Sequence, residues 1–220
     1  MKTKKKNKNN INIDSIIKYL KNNKKKIILI TATTLFILIT YAIFADKINS
    51  LDEAVHSFIL NMRTNSLTNT LIIITNISSA YALIVISIIL LTIIKNKKIP
   101  LLISLNLICA FLTNQIAKLI FTRPRPIGIN LIEESGFSYP SGHAMISMSY
   151  FGFLAYLLYK KQNNKLTKSI LIITLILTII TIGFSRIYLG VHYLSDVIGG
   201  FLLSTIYLII FIKNINLDTK

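Results

Sequence analysis

Residues 71–94 read LIIITNISSAYALIVISIILLTII, 24 positions without a single charge. As a helix rising about 1.5 Å per residue, the stretch reaches about 36 Å, enough to cross a hydrocarbon core of about 30 Å. A surface helix of a soluble domain would carry a polar face along such a length. Comparable runs stand on either side, at 27–44, 100–120, 144–159, 169–184 and 197–212. The three shorter ones reach spanning length only if the turns around His143 and residues 191–196 extend them. The reading is an all-α, polytopic membrane bundle with six transmembrane helices over residues 27–213. A basic cytoplasmic leader, 1–26, precedes it, and a cytoplasmic tail, 214–220, follows. Apolar residues make up 53% of the chain and charged residues 15%, with the charges gathered between the runs.

The charges also orient the bundle. If the six segments alternate, nineteen of the 25 basic residues fall on one side: in the leader, at 95–98, at 160–168 and after 212. The other side receives Lys47, Arg63, Lys118, Arg123, Arg125 and Arg186. Lys and Arg favour the cytoplasmic side, so both termini are expected there. The same distribution argues against a nucleic-acid partner despite a net charge of +17, since the basic residues flank spans and form no groove. The long leader lacks a clean small-x-small cleavage site, and the first span reads as an uncleaved signal-anchor. Cys109 is the one cysteine and excludes an intramolecular disulfide.

Four of the six outside cations, Lys118, Arg123, Arg125 and Arg186, crowd the mouths of spans three to five. A single such residue would snorkel to the headgroups. A cluster from separate segments suits phosphate, to which Arg and Lys give charge-assisted hydrogen bonds. The same side holds Tyr139-Pro140-Ser141-Gly142-His143, which looks like a helix start with Ser141 as N-cap and free N–H groups for an anion. It also holds Ser185-Arg186-Ile187-Tyr188-Leu189-Gly190-Val191-His192-Tyr193-Leu194-Ser195-Asp196. If a helix begins just after Gly190, His192 and Asp196 share a face as i and i+4. The carboxylate then holds one imidazole nitrogen as N–H and leaves the other free to attack. In the first outside loop, Leu51, Val55, Phe58, Ile59 and Met62 recur at helical spacing, which predicts an interfacial amphipathic stretch. His56 on it reads as an interfacial histidine and not a catalyst.

These segments resemble the type 2 phosphatidic acid phosphatase family of membrane lipid phosphatases. Its three-part signature is present in order: Lys118-x6-Arg125-Pro126, Pro140-Ser141-Gly142-His143, and Ser185-Arg186-x5-His192-x3-Asp196. Leu194 departs from it, where many members carry proline. The resemblance implies His192 as nucleophile and Asp196 as the residue that orients it. Lys118, Arg125, Ser141, Gly142 and Arg186 then bind phosphate oxygens. His143 protonates the leaving oxygen and later activates water. It implies a phosphohistidine intermediate and a substrate that is a membrane lipid phosphate presented by the bilayer. Opposite starting states of the two histidines predict a bell-shaped pH profile.

The chain has only eight acidic residues, and a two-metal centre needs more ligands than Glu133, Glu134 and Asp196 supply, so no metal or other cofactor is expected. Glu133 and Glu134 read as loop charges able to tune His143, and Arg123 as a steering cation. An outward-facing site in a bacterium would suit undecaprenyl diphosphate, with phosphatidylglycerolphosphate and phosphatidate as close alternatives. A transporter or lipid-binding protein on the same fold is a competing class. Against it, no signature position is lost and spans two and five offer no charged ion pathway. Gly199-Gly200 permits close helix packing within one chain or between copies.

Overall fold

A computed structural model describes residues 13–215, with side chains from residue 22 onward. The start of the leader and the end of the tail lie outside the described residues. Within them the chain forms eight helices: α1 Ile13–Phe44, α2 Asn49–Leu60, α3 Asn65–Asn76, α4 Ala80–Ile93, α5 Lys98–Phe121, α6 Gly142–Lys161, α7 Lys165–Tyr188 and α8 Leu194–Asn214. There is no break at the expected leader boundary, because α1 runs through it without interruption.

Helix α6 is the hub. It packs on α5, α7 and α8, while α1 lies on α8, α3 on α7 and α4 on α5. Its sequence suits that place: Ala144, Ser147, Ser149, Tyr150 and Phe153 are all buried. Leu83, Ile103, Leu107, Tyr150, Phe153, Ile182 and Leu208 close one core at mid-bundle. Buried hydroxyls and amides tie the helices together. Ser149 and Ser204 share a hydrogen bond of 2.8 Å, Asn106 Nδ2 donates to the Ser149 carbonyl at 3.0 Å, and the Tyr207 hydroxyl donates to the Asn106 carbonyl at 3.0 Å. Such bonds hold helices where lipid tails are as apolar as the side chains. Outward, α7 exposes Ile170, Ile173, Leu177 and Ile180 along one face, a surface that only lipid solvates well. The chain is therefore a polytopic membrane helical bundle.

Length and composition mark four to five spans among the described residues, not clearly six. Four helices are long and apolar enough to cross a membrane: the 22–44 part of α1, then α5, α7 and α8. The charge-free stretch 71–94, expected as one straight span, is broken: α3 and α4 meet at 47° and reach spanning length only as a bent pair. The cause lies in Thr75-Asn76-Ile77-Ser78-Ser79. The Ser78 hydroxyl donates to the Thr75 carbonyl at 3.0 Å, and the Ser79 hydroxyl caps the Ala82 N–H at 3.2 Å. Both take backbone partners from a continuous helix. Helix α6 falls outside the long apolar set, because it faces protein on most sides and carries Gly, His and Ser accordingly.

Close packing of α8 depends on its glycines. A Cβ on Gly200 would lie 2.8 Å from the Ser141 carbonyl oxygen, and one on Gly199 would enter the Tyr139 ring. The Gly199-Gly200 pair thus seats α8 against the start of α6 within one chain. The helix ends also separate the charges. Lys97, Lys98, Lys160, Lys161, Lys165 and Lys213 lie at one end of the bundle, and all the signature residues lie at the other.

Candidate active site

The signature residues converge where α5 ends and α6 and α8 begin. Thr122 closes α5 in the left-handed region at φ 47°, and the chain then folds over the end of the bundle until α6 starts. Gly190, at φ +75°, turns the chain after α7, and a Cβ there would collide with the Ile129 carbonyl. Helix α8 therefore begins at Leu194 and not just after Gly190. His192 precedes it, so the pair is not carried on one helical face as expected. The cause is a capping box in which the Asp196 carboxylate accepts the Tyr193 N–H at 2.8 Å.

His192 is 2% exposed. Its Nδ1 stands 3.6 Å from Asp196 Oδ2, and Ser138 bridges the two: its hydroxyl donates to Oδ2 at 2.6 Å and lies 3.2 Å from Nδ1. Arg125 Nη1 lies 3.1 Å from Nε2. A guanidinium has no acceptor, so Nε2 carries the lone pair and Nδ1 the proton. Burial pushes the imidazole down to about 4, against the opposing pull of Asp196, which leaves it neutral at physiological pH. The unprotonated nitrogen thus accepts a hydrogen bond from a fixed cation.

Arg125 is itself held by three carbonyls: Gly136 at 3.0 Å, Ser135 at 2.9 Å and Val191 at 2.9 Å. Lys118 Nζ donates to the Phe137 carbonyl. Arg186 is 1% exposed, donates to Thr75 Oγ1 at 3.0 Å and pairs with Glu134. Thr75, at the end of α3, and Ser78, in the break before α4, both lie at this place, the first on Arg186 and the second in the cavity wall. Ser141 is the N-cap residue of α6, but its hydroxyl makes no cap bond. That oxygen and Arg186 Nε are buried and have no protein partner among the described residues. The N–H groups of Gly142, His143 and Ala144 precede the first bond of α6, from the Met145 N–H to the Ser141 carbonyl at 3.0 Å. Lys118, Arg125, Gly142, His143 and His192 all line one cavity of about 420 Å³. Fixed cations and a helix N-terminus on one cavity, with the unpartnered Ser141 hydroxyl and Arg186 Nε buried close behind its lining residues, make an anion site.

Three residues have different surroundings from those the sequence suggested. Glu134 is no mere loop charge: it enters the cation cluster, paired with Arg186, 3.8 Å from Arg125 and 3.9 Å from His143 Nδ1. Arg123 is 8% exposed and does not steer substrate from the surface. It bridges Asp196 at 2.7 Å and Asp52 at 2.9 Å, with the Tyr193 ring 4.3 Å from its Cζ. Burial alone would lower its pKa, but the two carboxylates outweigh that and raise it. His56 is buried, and its Nε2 meets the His192 carbonyl at 3.2 Å, so it braces the segment without facing the cavity. Ser138, Asp52 and Thr75 were missed altogether. Only Asp52 carried a signal, as an acid in phase with His56 and Ile59 on a helix expected to lie at the interface.

Fold and site together define a polytopic membrane protein with a histidine beside a preformed anion site. The chain belongs to the PAP2 superfamily, whose profile matches residues 99–220. It is 40% identical over 92 residues to phosphatidylglycerophosphatase B of Bacillus subtilis (strain 168), a segment that is 41% of this chain. The matched part spans about half the length of that curated relative, 45% of it. The fold is similar to the crystal structure of the first transmembrane PAP2 type phosphatidylglycerolphosphate phosphatase from Bacillus subtilis, with a TM-score of 0.77 and 28% identity. That match covers 84% of this chain and 94% of the other. Aquifex aeolicus LpxE is similar at a TM-score of 0.61 and 26% identity, over 74% of this chain and 95% of the other.

Proposed function

We propose that this protein hydrolyses the phosphate of a membrane lipid, without a metal, through a phosphohistidine on His192. The observation that carries the reading is the lone pair of His192 Nε2, held beside Arg125 and backed by Asp196, at the wall of the cationic cavity. Nε2 attacks phosphorus and the P–O bond to the lipid breaks. His143 gives a proton to the departing lipid oxygen. The same imidazole then takes a proton from water, whose oxygen attacks phosphorus as the P–N bond breaks. Phosphate leaves and His192 is regenerated. Lys118, Arg125, Arg186, Ser141 and the Gly142 N–H stabilise the oxygens in flight, which is most of what phosphoryl transfer requires. Glu134 occupies part of this cation set, so an incoming phosphate exchanges with a carboxylate already balanced there.

The lipid assignment rests on the cavity walls. Phe111 and Leu119 line it and are also exposed on the lipid-facing side of α5, at 41% and 71%. A headgroup can enter sideways while its tails stay in the bilayer. Among lipids, the named activity of the Bacillus subtilis relatives favours phosphatidylglycerolphosphate over undecaprenyl diphosphate. We take α3–α4 as one broken span and α6 as the central one, six in total. The lysine-rich end, leader 1–26 and tail 214–220 then lie in the cytoplasm, and the site opens outside the plasma membrane.

Purified full-length protein assayed in EDTA is expected to release phosphate from phosphatidylglycerolphosphate at an undiminished rate. Its kcat/KM on that lipid should exceed those on phosphatidate and undecaprenyl diphosphate. Abolition by EDTA, or no release from any of the three, would overturn the reading. A preference for undecaprenyl diphosphate would reverse the substrate assignment alone.

A further inference from the structure

We propose that Asp52, on the interfacial helix α2, is a positioning residue for the reaction, acting on His192 through Arg123 and Asp196; this rests on the phosphohistidine reading above. Asp52 lies far from the signature in sequence and never faces the cavity. It is nevertheless 1% exposed, and both its oxygens are committed to the catalytic segment. Oδ1 accepts the Ser195 backbone N–H at 3.0 Å, and Oδ2 accepts the Ser195 hydroxyl at 2.5 Å. Oδ2 also accepts Arg123 Nη2 at 2.9 Å, while Nη1 of the same guanidinium reaches Asp196 Oδ1 at 2.7 Å. One turn along α2, His56 meets the His192 carbonyl. Helix α2 therefore grips the chain on both sides of Tyr193.

A structural role alone accounts poorly for this arrangement. Buried ion networks are weak stabilising devices, since apolar residues of similar volume often do as well. Its place behind His192 gives it another use. When Nε2 takes the phosphoryl group and Nδ1 keeps its proton, the ring becomes cationic and draws on the charge of Asp196. An arginine paired with Asp196 alone would cancel that charge. By taking Nη2 for its own carboxylate, Asp52 leaves two carboxylates sharing one guanidinium, a net negative charge behind the ring. The shared guanidinium also fixes the rotamer of Asp196, whose Oδ2 must face Ser138 and Nδ1.

The test is steady-state kinetics of full-length protein in detergent on phosphatidylglycerolphosphate. Asp52→Asn, which keeps shape and loses charge, is expected to lower kcat about 10- to 100-fold, the size of effect that losing a carboxylate behind a metal-bound histidine has. KM should stay within about threefold, since no substrate contact is touched. Asp52→Glu is expected to recover most of the lost kcat. A kcat for Asp52→Asn within about twofold of wild type, or a loss carried entirely by KM, would overturn the proposal. If the Asp52 variants do not fold, Arg123→Lys keeps the positive charge but cannot span both carboxylates as the planar fork does, and an unchanged kcat there would overturn it instead. His192→Ala run alongside separates the two ideas. Activity in that variant sinks the phosphohistidine reading, whereas an inactive His192→Ala beside a normal Asp52→Asn sinks only the role of Asp52.

Discussion

His192→Ala is expected to lower kcat/KM for lipid phosphate hydrolysis by on the order of 10⁴-fold or more, as removal of a nucleophile from a preorganised site does. The loss should appear in kcat, because the cations proposed to bind phosphate remain. Arg125 keeps its three carbonyl partners without the imidazole, and Asp196 keeps Arg123, Ser138 and the Tyr193 N–H. The pocket is thus built independently of the ring, and the variant should fold. Thermal unfolding in detergent, followed by circular dichroism, checks that alongside the phosphate-release assay. A correctly folded variant with wild-type turnover would remove His192 from the reaction.

Arg123→Met should have the largest effect on stability. It strands Asp52 and Asp196, each at most 1% exposed, without the guanidinium that lies between them. Removing one partner of a buried ion pair destabilises by about 3–5 kcal/mol, because the remaining charge stays desolvated. The expected readout is a large drop in Tm in detergent together with loss of turnover. Arg123→Lys should fall between, since a single ammonium cannot span two carboxylates as a planar fork does. An unchanged Tm for Arg123→Met would mean that the two carboxylates find other partners, contrary to the bridging geometry.

Arg123 also marks the limit of what could be read from the chain. Its place at a span mouth was legible, as was that of Lys118, Arg125 and Arg186, because charge at the end of an apolar run is a one-dimensional signal. The same holds for the apolar runs themselves and for the spacing from Arg186 to Asp196. Partnerships across the fold were not legible. Nothing near Arg123 announces that Asp52, 71 residues away, will meet it, or that Glu134 will enter the cation cluster. The break between α3 and α4 hid for another reason. Serine and threonine are tolerated in membrane helices, and only tertiary contact decides whether their hydroxyls turn inward to their own backbone. Likewise Asp196 could have been the fourth residue after a helical His192, had its carboxylate not capped the Tyr193 N–H.

The proposed reaction passes one phosphoryl group through His192, with His143 on its other side. The most direct measurement uses p-nitrophenyl phosphate with the His143→Asn variant of the full-length protein. Nitrophenolate departs without a proton from His143, whereas the later attack of water still needs that imidazole. Phosphoenzyme should therefore accumulate, and mass spectrometry after an alkaline quench should find an acid-labile phosphoryl group on His192. A phosphoryl group on another residue, or turnover that passes through no phosphoenzyme at all, would rule out His192 as the nucleophile.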